Sequence, residues 1–479
     1  MSERRGYPFG ILLALCLSES TVTFETSMIF AAMPTLIRTF GDPFWAGQLV
    51  AIHPLIAAST APVVGRLGDL RGRKSVTMIL LVLALIGSLA AAFSDSYPVI
   101  LMGRALQGLS VTVLSLAIGI LRENLAPERV PLSIGLLTTA QGVGAAAGLV
   151  IGGMIVDHFD WHWLFAASAV LIVMTIVATL FLVPGRKPAG TAYRIDWIEA
   201  LLPMPGIGAL LIAIGMTKRY SLLAPQVVGM AALGLTIIAL WIRRAVKAKE
   251  PFIDPRLFTI RSFAVSNAVT LVAAAGTMQI IYLFSTYIQS PVWTGVGLGL
   301  TATAAGLAKL PSYFITVTAG PLASWQSQRF GHRAATVTSC LLSAAGWAYA
   351  ILLPNHLLQI IIVLCVTSYG TTMVVTAVAN AIVDTVPEDR TSEAIGTMLV
   401  TRGVGLALGA QLIAVSLSSD TITAPDGGAL FPSAYSYQFT MGWITLTSVI
   451  GMAMAMLLPG RHSRKTASPG DTMPGDTTA

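Results

Sequence analysis

Charge is scarce in this chain: 11% of its 479 residues are Asp, Glu, Lys or Arg, against 55% apolar ones. Soluble domains carry roughly 25% charged residues, so a water-soluble fold is excluded and the implied solvent is lipid. Cysteine is scarcer still. Cys16, Cys340 and Cys365 all fall inside apolar runs, which leaves no disulfide framework and no metal-ligand spacing. The six histidines are scattered, no nucleophile sits in a His/Asp setting, and no phosphate-binding P-loop is present. These absences exclude a membrane-embedded enzyme and ATP-driven transport, and no metal or cofactor is expected. The net charge of +7 does not imply nucleic acid, because the basic residues lie in short loops between apolar runs, where they set orientation in a bilayer.

What the chain does have is a series of apolar runs near the twenty residues that a helix needs to cross a bilayer. They lie near 9–33, 46–66, 75–94, 98–121, 132–155, 163–184, 197–217, 223–242, 263–288, 298–322, 334–353, 357–381, 394–417 and 438–458. The expected fold is therefore an all-α polytopic membrane protein with fourteen spans. An even count places both termini on one side. Of the 29 lysines and arginines, all fall in alternate connecting segments except Arg38, Lys218 and Arg219 in the opposite loops and Arg104, Lys309 and Arg402 within spans. Cytoplasmic loops retain basic residues, so both ends are expected in the cytoplasm. The first run follows Arg4 and Arg5 as a signal peptide would, but its length and its Glu19 and Glu25 argue for a retained span.

Two echoes divide the chain. The loop Gly65-Arg66-Leu67-Gly68-Asp69-Leu70-Arg71-Gly72-Arg73-Lys74 is answered by Gly320-Pro321-Leu322-Ala323 and Arg329-Phe330-Gly331-His332-Arg333. Likewise Pro127-Glu128-Arg129, Gly135, Gln141-Gly142-Val143-Gly144 and Gly148 match Pro387-Glu388-Asp389-Arg390, Gly396, Arg402-Gly403-Val404-Gly405 and Gly409. Parallel repeats around a midplane site mark a secondary transporter. The expected organisation is a cytoplasmic N-terminus (1–8), a six-helix bundle (9–184), a linker with two inserted spans (185–262), a second six-helix bundle (263–458) and a disordered cytoplasmic tail (459–479).

On these residues the sequence resembles the major facilitator superfamily, and within it the fourteen-span drug:proton antiporter branch. Gly65 to Lys74 is similar to the superfamily's loop signature, G-x-L-a-D-r-x-G-r-k. Arg104-Ala105-Leu106-Gln107-Gly108 resembles the R-x-x-Q-G motif associated with proton handling. Gly144, Gly148, Gly152 and Gly153 resemble the antiporter motif G-x-x-x-G-P-x-x-G-G, with Leu149 in place of its proline. Glu25-Thr26-Ser27 through Ala32-Met33-Pro34 resembles the branch's acidic motif, with Glu for Asp, and Trp161-His162-Trp163 has His for the customary Arg. The resemblance implies a proton-coupled exporter of small amphipathic molecules in a bacterial inner membrane. It also implies that the tenth span packs on the fifth across the two halves.

Ionisable groups in hydrocarbon cost about 2.5 to 3.5 kcal/mol each on insertion scales, so they point to function. The set is Glu19 and Glu25, His53, Arg104, Lys309 and Arg402; Glu199 and Glu393 lie near span ends, where water reaches them. Glu25 is the leading proton carrier, with Arg104 tuning it and Glu19 as second acid. Six positions separate the two acids, roughly 120° around a helix, so they cannot face one spot. His53 is read as a packing residue. Lys309, Gln107, Gln141, Asn267, Gln279 and Tyr282 are the expected substrate-cavity residues, although interhelical hydrogen bonds account for most of the amides equally well. Gly65, Asp69, Arg73, Gly144, Gly148, Gly152 and Arg402 are the expected latch and gating residues, Asp69 near a helix N-terminus and Arg73 near a cluster of C-terminal carbonyls. For the glycines, ordinary close packing in lipid is the competing reading. Three buried bases against two acids lean towards anionic or amphipathic substrates, which leaves a proton-coupled importer of an organic anion as the alternative. The partners expected are a small-molecule substrate, protons and lipid, with the chain a monomer driven by the proton gradient.

Overall fold

The computed structural model describes residues 8–185, 202–248, 251, 253–352, 356–387, 390–425 and 429–459. The N-terminal segment before them, the basic stretch 186–201 with Glu199, Glu388, Asp389 and the tail from 460 onward lie outside the described residues. The first half comprises α1 (Pro8–Ala31), α2 (Met33–Phe40), α3 (Pro43–Arg71), α4 (Arg73–Ala92), α5 (Tyr97–Gly108), α6 (Val113–Asn124), α7 (Val130–His158) and α8 (Trp163–Leu182). Next come α9 (Pro203–Met216) and α10 (Pro225–Lys247). The second half is α11 (Arg261–Ala275), α12 (Ile280–Gln289), α13 (Ala302–Thr316), α14 (Ala319–Phe330), α15 (His332–Ala350), α16 (Leu357–Val383), α17 (Thr391–Leu417) and α18 (Ala434–Ala455).

Every expected span coincides with a helix or a pair of helices, because in lipid the backbone must satisfy its own hydrogen bonds. Among the described residues, nine helices are long and apolar enough to cross a membrane, or ten if α3, bent by 51° between its segments Pro43–Ala61 and Val63–Arg71, counts as one. The remaining expected spans fall short for visible reasons. The helix α9 is short, α13 ends at Thr316 before α14 begins at Ala319, and α15 and α18 are rich in Ser, Thr and Tyr. One small element is added to the all-helical fold. Strands β1 (Thr421–Thr423) and β2 (Leu430–Pro432) form an antiparallel hairpin between α17 and α18, with Ile422 opposite Phe431.

Helix ends follow their local chemistry. Gly41 (φ 77°) ends α2, and Asp42 then caps α3 by accepting from the Phe44 amide at 2.8 Å, with Pro43 at the first helical position. The loop echo read from sequence is a structural repeat. Gly72 (φ 91°) joins α3 to α4, and Gly331 (φ 88°) joins α14 to α15. The basic side chain after each glycine then meets an acid at the far end of its half's fourth span, Arg73 with Glu123 at 2.7 Å and His332 with Asp384 at 2.9 Å.

Within the first half α1 packs on α7 and α8, and α4 on α5 and α8; within the second, α16 packs on α13 and α15, and α18 on α11 and α15. The halves meet along α3 with α17 and α7 with α13, which is the fifth-to-tenth span contact the resemblance implied. The inserted α9 lies against both α3 and α17 and packs on α10.

Candidate functional site

Glu25 is fully buried in the first half and is surrounded by hydroxyl groups. Its Oε2 accepts from Ser110 at 2.9 Å, and its Oε1 from Ser168 at 3.0 Å and Ser88 at 3.5 Å. The three serines come from different elements: Ser88 from α4, Ser168 from α8, and Ser110 from a 3-10 turn at Leu109–Thr112 that interrupts the span between α5 and α6. A tightened turn in mid-span often marks a functional position, and here it carries Ser110 to the carboxylate. Arg104 lies beside this cluster but spends its donors elsewhere. It binds the main-chain oxygens of Leu49 (3.1 Å) and Glu25 (3.0 Å) and the side chain of Gln107 (2.8 Å), and Gln107 in turn donates to Ser88 at 2.7 Å. Arg104 therefore pins α1 and α3 to α5, while Glu25 keeps its carboxylate oxygens for hydroxyl donors alone. Gly108, the last residue of R-x-x-Q-G, allows this approach, since a Cβ there would lie 2.6 Å from the His53 carbonyl oxygen.

Glu19 faces elsewhere, as the helix geometry requires. Its Oε2 accepts from Gln141 on α7 at 2.8 Å, and its Oε1 has no partner among the described residues. In the second half, buried Lys309 donates to Ser368 on α16, lies 5.7 Å from the Tyr313 ring, and pairs with no carboxylate among the described residues. It lines a small pocket with Phe284, Ser285, Leu364 and, from the first half, Leu149. Arg402 likewise makes no hydrogen bond or ion pair among the described residues.

The two halves make close contacts toward the Asp42 end. Toward the Asp42 end, a Cβ on Gly153 would lie 2.6 Å from the Ala302 and Thr303 backbone, one on Gly306 2.7 Å from the Leu149 carbonyl oxygen, and one on Gly47 2.2 Å from Ala414. Asp157 on α7 reaches across to the first turn of α13, accepting from the amides of Ala302 and Thr303 at 2.9 Å each and from the Thr303 hydroxyl at 2.5 Å. A carboxylate at a helix N-terminus is stabilised by the unpaired amides and the helix dipole. Gln48 to Gln411 (2.6 Å) and Ser285 to the Phe30 carbonyl (2.5 Å) add to this seam. Toward the Gly72 end, a Cβ on Gly65, Gly135, Gly142 or Gly396 would meet nothing within 4 Å.

The sequence profile of the Major Facilitator Superfamily matches residues 15–410 and 275–473. The chain belongs to the major facilitator superfamily. Relatives agree: the protein named multidrug resistance protein MdtD of Escherichia fergusonii is 25% identical over 321 residues, 67% of this chain. The match spans 66% of that relative's own length, just under two thirds. Among solved structures, the peptide transporter POT in complex with sulfate superposes with a TM-score of 0.66 at 14% identity, covering 96% of this chain and 97% of that one. The POT-family transporter PepTSo gives 0.65 at 12% identity, covering 94% and 98%. At such identities these likenesses concern the fold, an all-helical membrane transporter of the major facilitator type.

Against this major facilitator framework, several expected roles shift. The glycine stripe of α7 does not form the seam between halves. Gly144, Gly148 and Gly152 pack against α1 in the same half, around Ser20, Phe24 and Met28, because residues four apart share one helix face; Gly153, one position on, faces α13. Nor does Arg73 face a carbonyl cluster: it pairs with Asp69 (2.8 Å) and Glu123, and these contacts stay within the first half. The six expected cavity residues do not share one chamber. Gln107 and Gln141 serve the two acids, Gln279 donates to the Ala274 and Leu406 carbonyls at 3.0 Å each, and Tyr282 is buried against Phe30 and Gly47. Asn267 instead lines a separate apolar chamber beside α9 and α10. Sequence reasoning missed Ser88, Ser110, Ser168, Asp157 and Gly306; Gly153 was named within the motif, but that it, with Gly306, makes the approach of α7 to α13 was not visible without the packing.

Proposed function

We propose that this major facilitator is a proton-coupled secondary transporter that exports small amphipathic organic molecules by alternating access, its two six-helix halves rocking about a midplane site. The observation that carries the reading is Glu25 buried among three hydroxyls with no cation on its carboxylate oxygens. Holding a bare charge there is costly, so a proton is the natural companion, and a conformational change that alters water access would load and release it. The name borne by the MdtD relatives supports efflux as the direction. Within this reading the chain has fourteen spans with both ends in the cytoplasm, lies in a bacterial inner membrane as a monomer, and needs no cofactor beyond the proton gradient. Glu19 with Gln141 is the second acid, and the seam at the Asp42 end is the outer gate.

The test is Glu25→Gln in reconstituted vesicles. Proton-driven flux is expected to fall at least tenfold while substrate-for-substrate exchange survives; undiminished driven flux would remove Glu25 from the mechanism. A second reading, import of an organic anion, draws on Lys309 and Arg402, two cations without acidic partners among the described residues. Flux measured in vesicles of both orientations separates the two, since proton-driven accumulation confined to right-side-out vesicles would favour import.

A further inference from the structure

Lys218 is one of the few basic residues set against the cytoplasmic bias of the chain's lysines and arginines. It follows α9, and its ammonium pairs with Asp42, the residue that caps α3, while lying 5.5 Å from the centre of the Phe44 ring. The Lys218 side chain is 29% exposed and that of Asp42 16%, so water reaches the pair. Near the end of α9, a Cβ on Gly215 would lie 2.9 Å from Gln411 Nε2 of α17 and 3.0 Å from the Phe44 ring of α3. The helix is therefore wedged between the halves at the Asp42 end. Deeper along it, Ile207 and Leu211 pack with Leu55 of α3 and Ala407 of α17.

The two inserted helices form one stiff unit. A Cβ on Gly234 of α10 would lie 2.8 Å from the Gly206 carbonyl oxygen of α9, so their backbones are in contact, as small residues allow in lipid. At the Gly72 end this unit is fastened to the second half. Arg256 donates to the Val246 carbonyl of α10 at 3.0 Å. Arg390 binds Asp254 at 2.5 Å and Glu393 at 3.1 Å, and Glu393 accepts from the Asp254 amide at 3.3 Å. The chain then runs on through the turn Pro255–Thr259 into α11. The first half reaches the same linker through Arg66 of α3, which donates to the Pro251 carbonyl at 2.9 Å.

A stiff pair held by both halves cannot follow both when they rock, so one attachment has to yield. Covalent continuity and a shared network of Asp254, Arg390 and Glu393 hold the second half. An ion pair that water reaches contributes little and is screened by salt. We propose that the inserted pair rides with the second half as a strut, and that Lys218 with Asp42 is its catch on the first half, engaged while the Asp42 end is closed and released when that end opens. The Phe44 ring steadies the ammonium in the engaged position. This assignment rests on the rocking of the halves proposed above.

The test places nitroxide pairs on the full chain in lipid nanodiscs, with the three native cysteines replaced by alanine, and reads distances by pulsed electron resonance. The labels sit at the exposed positions Ser96 before α5, Gln226 at the start of α10 and Ser419 after α17. Lys218→Met is expected to enlarge the long-distance population of Ser96–Gln226 and Ser96–Ser419 together, by about threefold for a pair so exposed to water. Gln226–Ser419 should stay as in the wild type. Lys218→Arg, which keeps the cation, should match the wild type. Raising salt from about 0.05 to about 0.5 M should move the wild-type protein in the direction of Lys218→Met, a measurement that needs no substitution at Lys218. A Ser96–Gln226 population indifferent to both Lys218→Met and salt overturns the catch, as does Lys218→Arg shifting as far as Lys218→Met. Lengthening of Gln226–Ser419 in place of Ser96–Gln226 would show the unit riding with the first half and overturns the strut. The Ser96–Ser419 pair reads the rocking by itself: one fixed distance throughout removes the rocking and the catch with it, whereas two distances there with one fixed Ser96–Gln226 distance remove the catch alone.

Discussion

A methyl group added at Gly153 would sit 2.6 Å from the backbone of Ala302 and Thr303, whereas one added at Gly135 on the same helix would touch nothing within 4 Å. Backbone cannot move aside as a side-chain tip can, and overpacking costs typically 1–3 kcal/mol. Gly153→Ala is therefore expected to shift the population by about tenfold or more toward the arrangement parted at the Asp42 end. Thiol labelling in a Thr303→Cys background would rise accordingly, and Gly135→Ala would leave it unchanged. At this scale the acids and bases were legible because charge in hydrocarbon is expensive and hence rare; Glu25, Glu19, Arg104 and Lys309 needed no structure to be singled out. Their partners were not. Serine is an ordinary residue of membrane helices, and nothing local in sequence tells that Ser88, Ser110 and Ser168 converge on one carboxylate. Asp157 reads as a solvated helix-end acid until α13 is seen to begin beside it.

Among elements, the segment between α10 and α11 is tied to the start of α17 by an ionic cluster. Arg390 donates to Asp254 at 2.5 Å and to Glu393 at 3.1 Å, and Asp254 also caps the turn Pro255–Thr259 through the Arg256 amide at 2.9 Å. Burial pulls the Asp254 carboxyl upward, but the Arg256 amide and the Arg390 guanidinium together hold it below the ordinary aspartate range. A carboxylate depressed on folding contributes stability that is fully present above its unfolded value, about 3.9, and lost as pH falls through the lower folded value. Asp254→Asn should lower the melting temperature at pH 7. The gap from wild type should hold between pH 7 and about 5 and close only in more acid solution; a gap already closed at pH 6 would contradict this assignment. Element positions followed from apolar run length, and the repeated Gly72 and Gly331 elbows from the loop echo. The breaks did not: the 3-10 turn at Leu109–Thr112, the interruption at Gly276 before α12 and the hairpin of β1 and β2 arise from tertiary contacts that hydropathy does not encode.

For the molecule as a whole, under the proposed alternating access, the close contacts between halves toward the Asp42 end would describe one stage of a rocking cycle. The contact between α3 and α17 is tight: a Cβ on Gly403 would lie 2.7 Å from that of Ala58, inside the roughly 3.8 Å at which disulfides join Cβ atoms, so the pair links once the helices ease apart by about 1 Å. The double variant Ala58→Cys with Gly403→Cys should cross-link under mild oxidant and lose at least nine tenths of its flux, recovered on reduction. The pair Gly65→Cys with Gly396→Cys should remain reduced in this state. Full flux through the locked protein would show that this contact does not move. Sequence repeats suggested the division into two halves; which end of their seam is joined is a matter of conformation, which sequence does not encode.

The inserted helix α10 adds a dependence on the membrane itself. Its apolar stretch runs from Val227 to Ile242, ahead of Arg243 and Arg244, and spans about 24 Å at 1.5 Å per residue, short of the roughly 30 Å of a bilayer's hydrocarbon; with 11% of its apolar window buried by protein, the acyl chains must adjust to it. Thicker membranes would pinch around this helix or shift it against its neighbours, so that lipid chain length becomes a control on this protein that no residue in its core specifies.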